Sequence, residues 1–281
     1  SACWGRRTTW TRTQRASMDI TALTLDQRDL LDRLAGVISD RAPIVAFTGA
    51  GISTESGIPD YRGPNGLWTT GSATPVTYQD FMASEETRLN WWHALPERYA
   101  QARTMTHNAG HAALVRLEQA GILAATITQN IDGLHIEAGS DPERVIELHG
   151  NTRTIRCTNC GRVYPIADYA ELAPTLTAPP PCPNCGGILK SGTVAFGQPM
   201  PQDELLRAFA LAQAANVMLV VGSTLLVNPA AHVPVVAKAS GAYLAIINIG
   251  ETALDADADL RLEGPAGPSL TFLADQVLNR V

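Results

Sequence analysis

The chain has 281 residues, 45% of them hydrophobic and 17% charged, with 21 basic and 27 acidic side chains giving a formal net charge of −6. This composition describes a soluble globular protein, either one large domain or a large one with a smaller companion, and it excludes fibrous, collagenous and mostly disordered chains. An acidic balance lacks the basic surface that displaces counterions from nucleic acid, and no run reaches the roughly 18 apolar residues of a membrane span, so neither partner is expected.

Residues 1–17 carry Arg6, Arg7, Arg12 and Arg15 with no acid, so setting those four charges aside leaves −10 for the remainder. They read as a disordered or non-native leader before a natural start at Met18, the alternative being an Arg-rich transit peptide. Nineteen arginines against two lysines (Lys190, Lys238) fit a GC-rich bacterial genome. The expected location is therefore cytoplasmic, or the mitochondrial matrix if the leader is a transit peptide.

A helix-like stretch over 25–38 precedes the apolar run 43–48 (PIVAFT), which ends in Gly49-Ala50-Gly51 and reads as a buried strand entering a glycine turn. Similar aliphatic runs at 124–128, 217–221 and 243–249 alternate with helix-like stretches such as 107–119 and 203–214. Short apolar runs without polar alternation are strands buried on both faces, so the expectation is an α/β fold with a doubly wound parallel sheet. Residues 65–105, rich in turn residues and aromatics, and 151–189, with a proline cluster and paired cysteines, interrupt that rhythm as insertions.

Cys157-x2-Cys160 and Cys182-x2-Cys185 each direct two thiolates at one point, and together they complete the tetrahedral shell that Zn²⁺ prefers. With no open position for water, the single ion is expected to be structural. Cys3 has no partner role. The turn Gly49–Gly57 follows a strand, where backbone N–H groups can meet a phosphate, but its spacing fails the G-x-G-x-x-G dinucleotide fingerprint. Phosphate binding and a plain structural turn both remain open on mechanics alone. His107 and His111, spaced i, i+4, could form a metal pair, although a solvated helix face is the preferred reading.

The continuation Gly49-Ala50-Gly51-Ile52-Ser53-Thr54-Glu55-Ser56-Gly57-Ile58-Pro59-Asp60-Tyr61-Arg62 resembles the signature loop of the sirtuins, the NAD-dependent protein deacylases. Further matches follow in the family's order: Thr128-Gln129-Asn130-Ile131-Asp132-Gly133-Leu134-His135, Glu147-Leu148-His149-Gly150, the cysteine pairs, Val194-x-Phe196-Gly197, Gly222-Ser223-Thr224-x2-Val227-x-Pro229, and Asn248. The wording is similar to the class II lineage that includes the mitochondrial lipoamidase and ADP-ribosyltransferase type. The resemblance implies a discontinuous Rossmann-like NAD-binding domain (18–64, 106–150 and 190–281) and a smaller domain made of the helical insertion 65–105 and a four-cysteine zinc ribbon at 151–189.

Residue by residue, the resemblance places the NAD phosphates against Gly49, Ala50, Gly51, Ile52 and Ser53, and the nicotinamide carboxamide on Asp60, whose carboxylate accepts an amide hydrogen bond strongly. Tyr61 stands where many members carry Phe to shield the ribose carbon, and Arg62 orders the loop. Gln129, Asn130, Ile131 and Asp132 match ribose and nicotinamide-pocket positions, with Asn130 and Asp132 near the chemistry. Gly222, Ser223, Thr224, Asn248, Ile249 and Gly250 match phosphate and adenosine-ribose positions, and Ala266 falls over the adenine.

His149 is the implied catalytic base, because a near-neutral pKa suits proton acceptance at cellular pH; the other five histidines have no matching role. The implied reaction expels nicotinamide as the acyl-lysine oxygen attacks the ribose carbon, forming an alkylimidate that a ribose hydroxyl then attacks. Water then completes the transfer, giving free lysine and O-acyl-ADP-ribose.

Val194, Phe196, Gly197 and Gln198 are expected to form a strand edge for an extended acyl-lysine protein segment. Gln198 in place of Glu weakens any preference for basic flanking residues. Ala195 in place of a larger side chain leaves room for acyl groups longer than acetyl, and the absence of a Tyr-x2-Arg pair in 65–105 disfavours acidic acyl chains. The alternatives are protein mono-ADP-ribosylation at the same site and a non-catalytic NAD or ADP-ribose sensor.

Overall fold

The computed structural model describes residues 23–63, 66–67, 69–71 and 76–281. The expectations for residues 1–17, Met18 and Cys3 lie outside them. Thr24 opens α1 (Leu25–Arg41) with a reciprocal cap, its Oγ1 accepting the Gln27 N–H while Gln27 Oε1 accepts the Thr24 N–H. β1 (Ile44–Thr48) then runs into a 3-10 turn at Ala50–Ser56. Three short helices follow: α2 (Tyr78–Ala83), α3 (Glu85–His93) and α4 (Leu95–Ala102). Next come α5 (Ala109–Gln119), β2 (Leu123–Thr128), α6 (Leu134–Glu137) and β3 (Val145–Glu147), then β4 (Thr154–Cys157), β5 (Val163–Pro165), α7 (Ala167–Ala170) and β6 (Leu189–Ser191). The chain closes with α8 (Gln202–Ala214), β7 (Val217–Val221), α9 (His232–Ala239), β8 (Tyr243–Asn248), β9 (Leu260–Glu263) and α10 (Ala266–Leu278).

Six strands form one parallel sheet in the order β3-β2-β1-β7-β8-β9. Side chains alternate between its two faces. Ile44 and Ala46 of β1, with Val217, Leu219 and Val221 of β7, pack against α1, α5 and α10. Val45, Phe47, Met218 and Val220 pack against α8 and α9. Both faces are thus covered, which is why these strands read as unbroken apolar runs. β3 and β9 gave no such signal: β3 has three residues, and β9 alternates, with Leu260 and Leu262 buried but Arg261 and Glu263 less so.

The cysteine-bearing segment forms a separate antiparallel sheet, β5-β4-β6. Its core gathers Ile155, Ile166, Leu189, Cys157 and Cys182 around Trp92 and Leu95 of the helical insertion, so the two insertions share one hydrophobic cluster. No helix among the described residues is long and apolar enough to cross a membrane.

Candidate active site

The chain leaves β1 toward β2 and β3 on one side and returns to β7, β8 and β9 on the other. Ligands of open parallel sheets bind where the order reverses, beyond the carboxyl ends of the strands. Here the turns after β1 and β7 touch: the Gly51 N–H donates to Gly222 O at 2.9 Å, and a Cβ on Gly51 would lie 2.7 Å from Gly222 Cα. Gly222 itself has φ of 64°, and a Cβ there would sit 2.4 Å from Ile52 N. Only glycine permits this approach, which exposes backbone where a side chain would otherwise stand.

Above these turns lies a cavity of about 710 Å³, within the size of small-molecule sites. Gly49, Ala50, Gly51, Asp60, Tyr61 and Arg62 line it from the first loop, and Gln129, Asn130, Ile131 and His149 from the second side. Gly222, Ser223, Thr224, Asn248, Ile249 and Gly250 form a third wall, while Val194, Phe196, Gly197 and Gln198 form a fourth. Ala266 borders an adjoining cavity of about 490 Å³ that shares Gly51, Asp60 and Asn248. Ile52, Ser53 and Asp132 stand outside the lining. Ile52 is buried in the core under α10, and Ser53 donates to Asp132 Oδ2 at 2.8 Å behind the cavity wall.

Hydrogen bonds fix these groups. Gln129 Nε2 donates to Ser223 Oγ at 2.7 Å, tying the loops after β2 and β7. Asn130 is buried, its Nδ2 donating to Gly49 O and Ser53 Oγ at 3.1 Å. His149 Nδ1 is 2.9 Å from Gln129 O. A carbonyl can only accept, so Nδ1 carries the proton and Nε2 keeps its lone pair; the tautomer is assigned from this partner. Burial lowers the His149 pKa, opposed by the Gln129 bond, keeping the ring neutral at cellular pH. Burial, followed by the charge of Asp132, raises the Tyr61 pKa, and burial lowers that of Arg62.

The preferred solvated-face reading holds for His107, which is exposed, but is corrected for His111. His107 is exposed and pairs with Glu137 at 2.5 Å, whereas His111 is fully buried, with Ser53 Oγ 3.5 Å from its Nε2. His111 faces inward because Asn108 caps α5, and His111 Nδ1 accepts the Asn108 N–H at 3.3 Å in the return half of that cap. Its ring meets His135 edge-on at 5.0 Å between centroids. His135 Nε2 lies 2.8 Å from Thr48 Oγ1, Thr48 donates to Thr128 Oγ1 at 2.9 Å, and Thr128 Oγ1 accepts the Asn130 N–H at 3.0 Å. A buried polar chain thus supports the loop that carries Gln129 and Asn130.

Residues 194–197 are not a strand. The Gln198 N–H donates to Ala195 O at 3.0 Å and Gln198 Oε1 accepts the Ala195 N–H at 3.1 Å, which folds the segment into a turn. Phe196 O accepts the Tyr78 N–H at 2.9 Å, and the Val194 N–H donates to His149 O at 2.8 Å, so the segment is anchored beside the imidazole. Its backbone groups are thus satisfied partly within the turn and partly by Tyr78, Gln79 and His149.

The four sulfurs of Cys157, Cys160, Cys182 and Cys185 lie within 4.8 Å of one another. Tetrahedral Zn–S bonds require sulfur separations of about 3.8 Å, and Cys157–Cys185 at 3.5 Å and Cys160–Cys182 at 3.9 Å fit that shell. The Tyr164 hydroxyl, 3.2 Å from Cys182 Sγ, can donate to the thiolate a metal would hold. This all-thiolate set fits a structural zinc ion.

Several supporting contacts gave no signal in the sequence. Arg261 donates to Asn248 O at 3.1 Å and pairs with Asp255 at 2.8 Å, bracing the turn after β8. Glu55 Oε1 accepts the Gly267 N–H at 2.9 Å, joining the first loop to α10. Asp255 and Arg261 are six residues apart, but the bonds to Asn248 O and Gly267 N–H join partners 13 and 212 residues apart, beyond any local pattern.

The Sir2 family pattern matches residues 49–229. The NAD-dependent protein deacetylase 1 of Bradyrhizobium diazoefficiens is 44% identical over 248 residues, covering 87% of this chain and 95% of that protein. A solved Sir2 homolog–NAD complex superimposes with a TM-score of 0.75 at 37% identity, covering 88% of this chain and 94% of that one. A second, holding a deacetylated p53 peptide and 3′-O-acetyl ADP-ribose, gives 0.73 at 34%, covering 88% and 97%. The chain belongs to the Sir2 family.

Proposed function

We propose that this chain is an NAD-dependent protein-lysine deacylase that releases nicotinamide and O-acyl-ADP-ribose. The observation that carries the reading is His149: a neutral, Nδ1-protonated imidazole on the wall of a cavity whose other walls are the glycine turns after β1 and β7 and the loop 194–198. The bare backbone of Gly49, Gly51 and Gly222 suits close approach by the dinucleotide, and Asp60 suits its carboxamide. Asn130, Ser53 and Asp132 hold the polar floor. NAD, when bound, supplies the electrophilic ribose carbon and the hydroxyl that accepts the acyl group.

His149 Nε2 takes the proton from that hydroxyl, while Tyr61, Phe196 and Val194 keep water from the reacting carbon. Val194–Gln198 opens from its turn to pair with the acyl-lysine segment, and the lining of Ala195, Met200, Leu205 and Val227 favours uncharged acyl chains. Residues 18–64, 106–150 and 190–281 act as the NAD-binding domain, and 65–105 with 151–189 as the smaller one, a division supported by three separate hydrophobic clusters. A bacterial cytoplasm is the fitting compartment, supported by the Bradyrhizobium relative.

The test is incubation of the zinc-loaded protein with NAD and acetyl-, butyryl- or octanoyl-lysine peptides, following nicotinamide release and peptide mass. Acyl-dependent release that His149→Ala abolishes supports the reading. Transfer of ADP-ribose to protein without any acyl-lysine overturns it in favour of mono-ADP-ribosylation.

A further inference from the structure

Lys190 lies in the middle of β6, its side chain buried to 5% exposure. Burying an ammonium is costly unless its donors are used, and no carboxylate among the described residues pairs with it. None of the ion pairs there involves Lys190, and its cross-strand partner on β4 is Arg156, a like charge. The ammonium instead donates to two backbone carbonyls of the turn that follows it, Ser191 O at 3.0 Å and Thr193 O at 2.5 Å. Burial lowers its pKa to about 8, still leaving the cation dominant at neutral pH.

The turn it grips is otherwise held from within and by β4, with the Thr193 N–H donating to Ser191 Oγ at 3.2 Å and Ser191 paired with Ile155. Ser191-Gly192-Thr193 contains no proline and no bulky side chain. Its two hydroxyls bond each other at 2.9 Å, and the Gly192 N–H reaches back to Thr154 O at 2.7 Å. This turn presses on the catalytic strand end: Gly150 has φ of 67°, and a Cβ there would lie 2.0 Å from Gly192 O. One residue further, the Val194 N–H meets His149 O, and Val194–Gln198 begins to line the cavity.

We propose that Lys190 is a positioning residue for the acyl-lysine peptide: its buried ammonium clamps the Ser191–Thr193 carbonyls and so sets the register of Val194–Gln198 against His149. The inference rests on the deacylase reading. Lys190 touches neither the cofactor loops nor His149 by any hydrogen bond, so its effect falls on peptide binding and not on NAD. Only a donor can perform the clamp, so the chemistry separates it from a packing role that an isosteric apolar chain would fill.

The experiment compares steady-state kinetics of Lys190→Met, which keeps the volume and removes the donors, with Lys190→Arg, which keeps them, after matching zinc content and far-UV spectra. Loss of charged hydrogen bonds predicts a peptide KM about tenfold higher for Lys190→Met, an NAD KM within about twofold of wild type, and substantial recovery in Lys190→Arg. An unchanged peptide KM, a parallel rise in both KM values, or Lys190→Arg as impaired as Lys190→Met overturns the proposal. If Lys190→Met does not fold, Lys190→Gln, uncharged but still a donor, replaces it, with an intermediate peptide KM expected and a wild-type KM counting against the ammonium. Wild-type protein that turns over no acyl-lysine peptide overturns the deacylase reading and this one together, whereas wild-type turnover with unshifted variants overturns only the role of Lys190.

Discussion

Acidification from pH 7 to pH 5 should weaken the fold through the two buried histidines. His111 Nδ1 already accepts the Asn108 N–H, and His135 Nδ1 has no partner among the described residues. A second proton on either ring would therefore lose a bond or bury a donor with nothing to receive it. Burial above all, then His107, lowers His111 to about 4 from 6.5, with Glu137 opposing, and burial, then His111, lowers His135 to about 3. Well above pH 6.5 folded and unfolded states are both neutral and the pair has no effect. Below it the unfolded chain binds protons that the folded chain refuses, so stability falls with pH. At pH 5, about 1.5 units below the unfolded value, each histidine removes about 2 kcal/mol, or about 4 kcal/mol together. Urea unfolding of the zinc-loaded protein at pH 7, 6 and 5, with metal content checked at each pH, measures the loss. Imidazole nitrogen NMR of the native state should show both rings neutral to pH 5. A stability difference under about 1 kcal/mol, or two buried rings titrating near 6.5, refutes the reasoning.

His149 must be neutral to accept a proton, and burial lowers its pKa. The acidic limb of kcat/KM should thus fall below pH 6.5, and a limb at pH 7 or above in a profile from pH 5 to 8 would exclude it as the base. Removing zinc, or Cys185→Ser, should collapse the sheet β5-β4-β6 while leaving β1 and β7 protected, which hydrogen exchange of the segments 154–191, 44–48 and 217–221 can resolve. Trp92 is fully buried, edge-on to Trp91 at 5.1 Å and tilted on Tyr169 at 5.4 Å. Trp92→Ala should cost that cluster about 3–5 kcal/mol in local stability, with NAD affinity in the large sheet unaltered; equal loss of both would contradict separate cores.

What could be read in advance follows from the range over which each feature is determined. β1, β2, β7 and β8 announced themselves because burial on both faces leaves no polar alternation, and β7 spans 217–221 as expected. The cysteine pairs were legible because each Cys-x2-Cys turn is local. Boundaries shifted where a cap decided them: α5 begins at Ala109 and not at residue 107 because Asn108 turns its side chain onto the Gly110 N–H. The same cap turned His111 inward, and its partner Ser53 lies 58 residues away, so no helical period could distinguish a solvated histidine from this one.

The segment 194–198 shows the same limit from the other side. A strand is a relation between two chains, and Val-Ala-Phe-Gly supplies only one of them. Gln198 occupies the Ala195 N–H and carbonyl that an added peptide would need, so the turn competes directly with strand formation. Gln198→Ala removes the side-chain half of that competition while keeping the backbone bond. It should therefore lower peptide KM by a few-fold, about the worth of one neutral hydrogen bond, without moving the NAD KM. A higher peptide KM in titrations of Gln198→Ala would mean instead that Gln198 Oε1 organises the segment for binding. The direction of that single change separates a turn that must be undone from one that is already the docking surface.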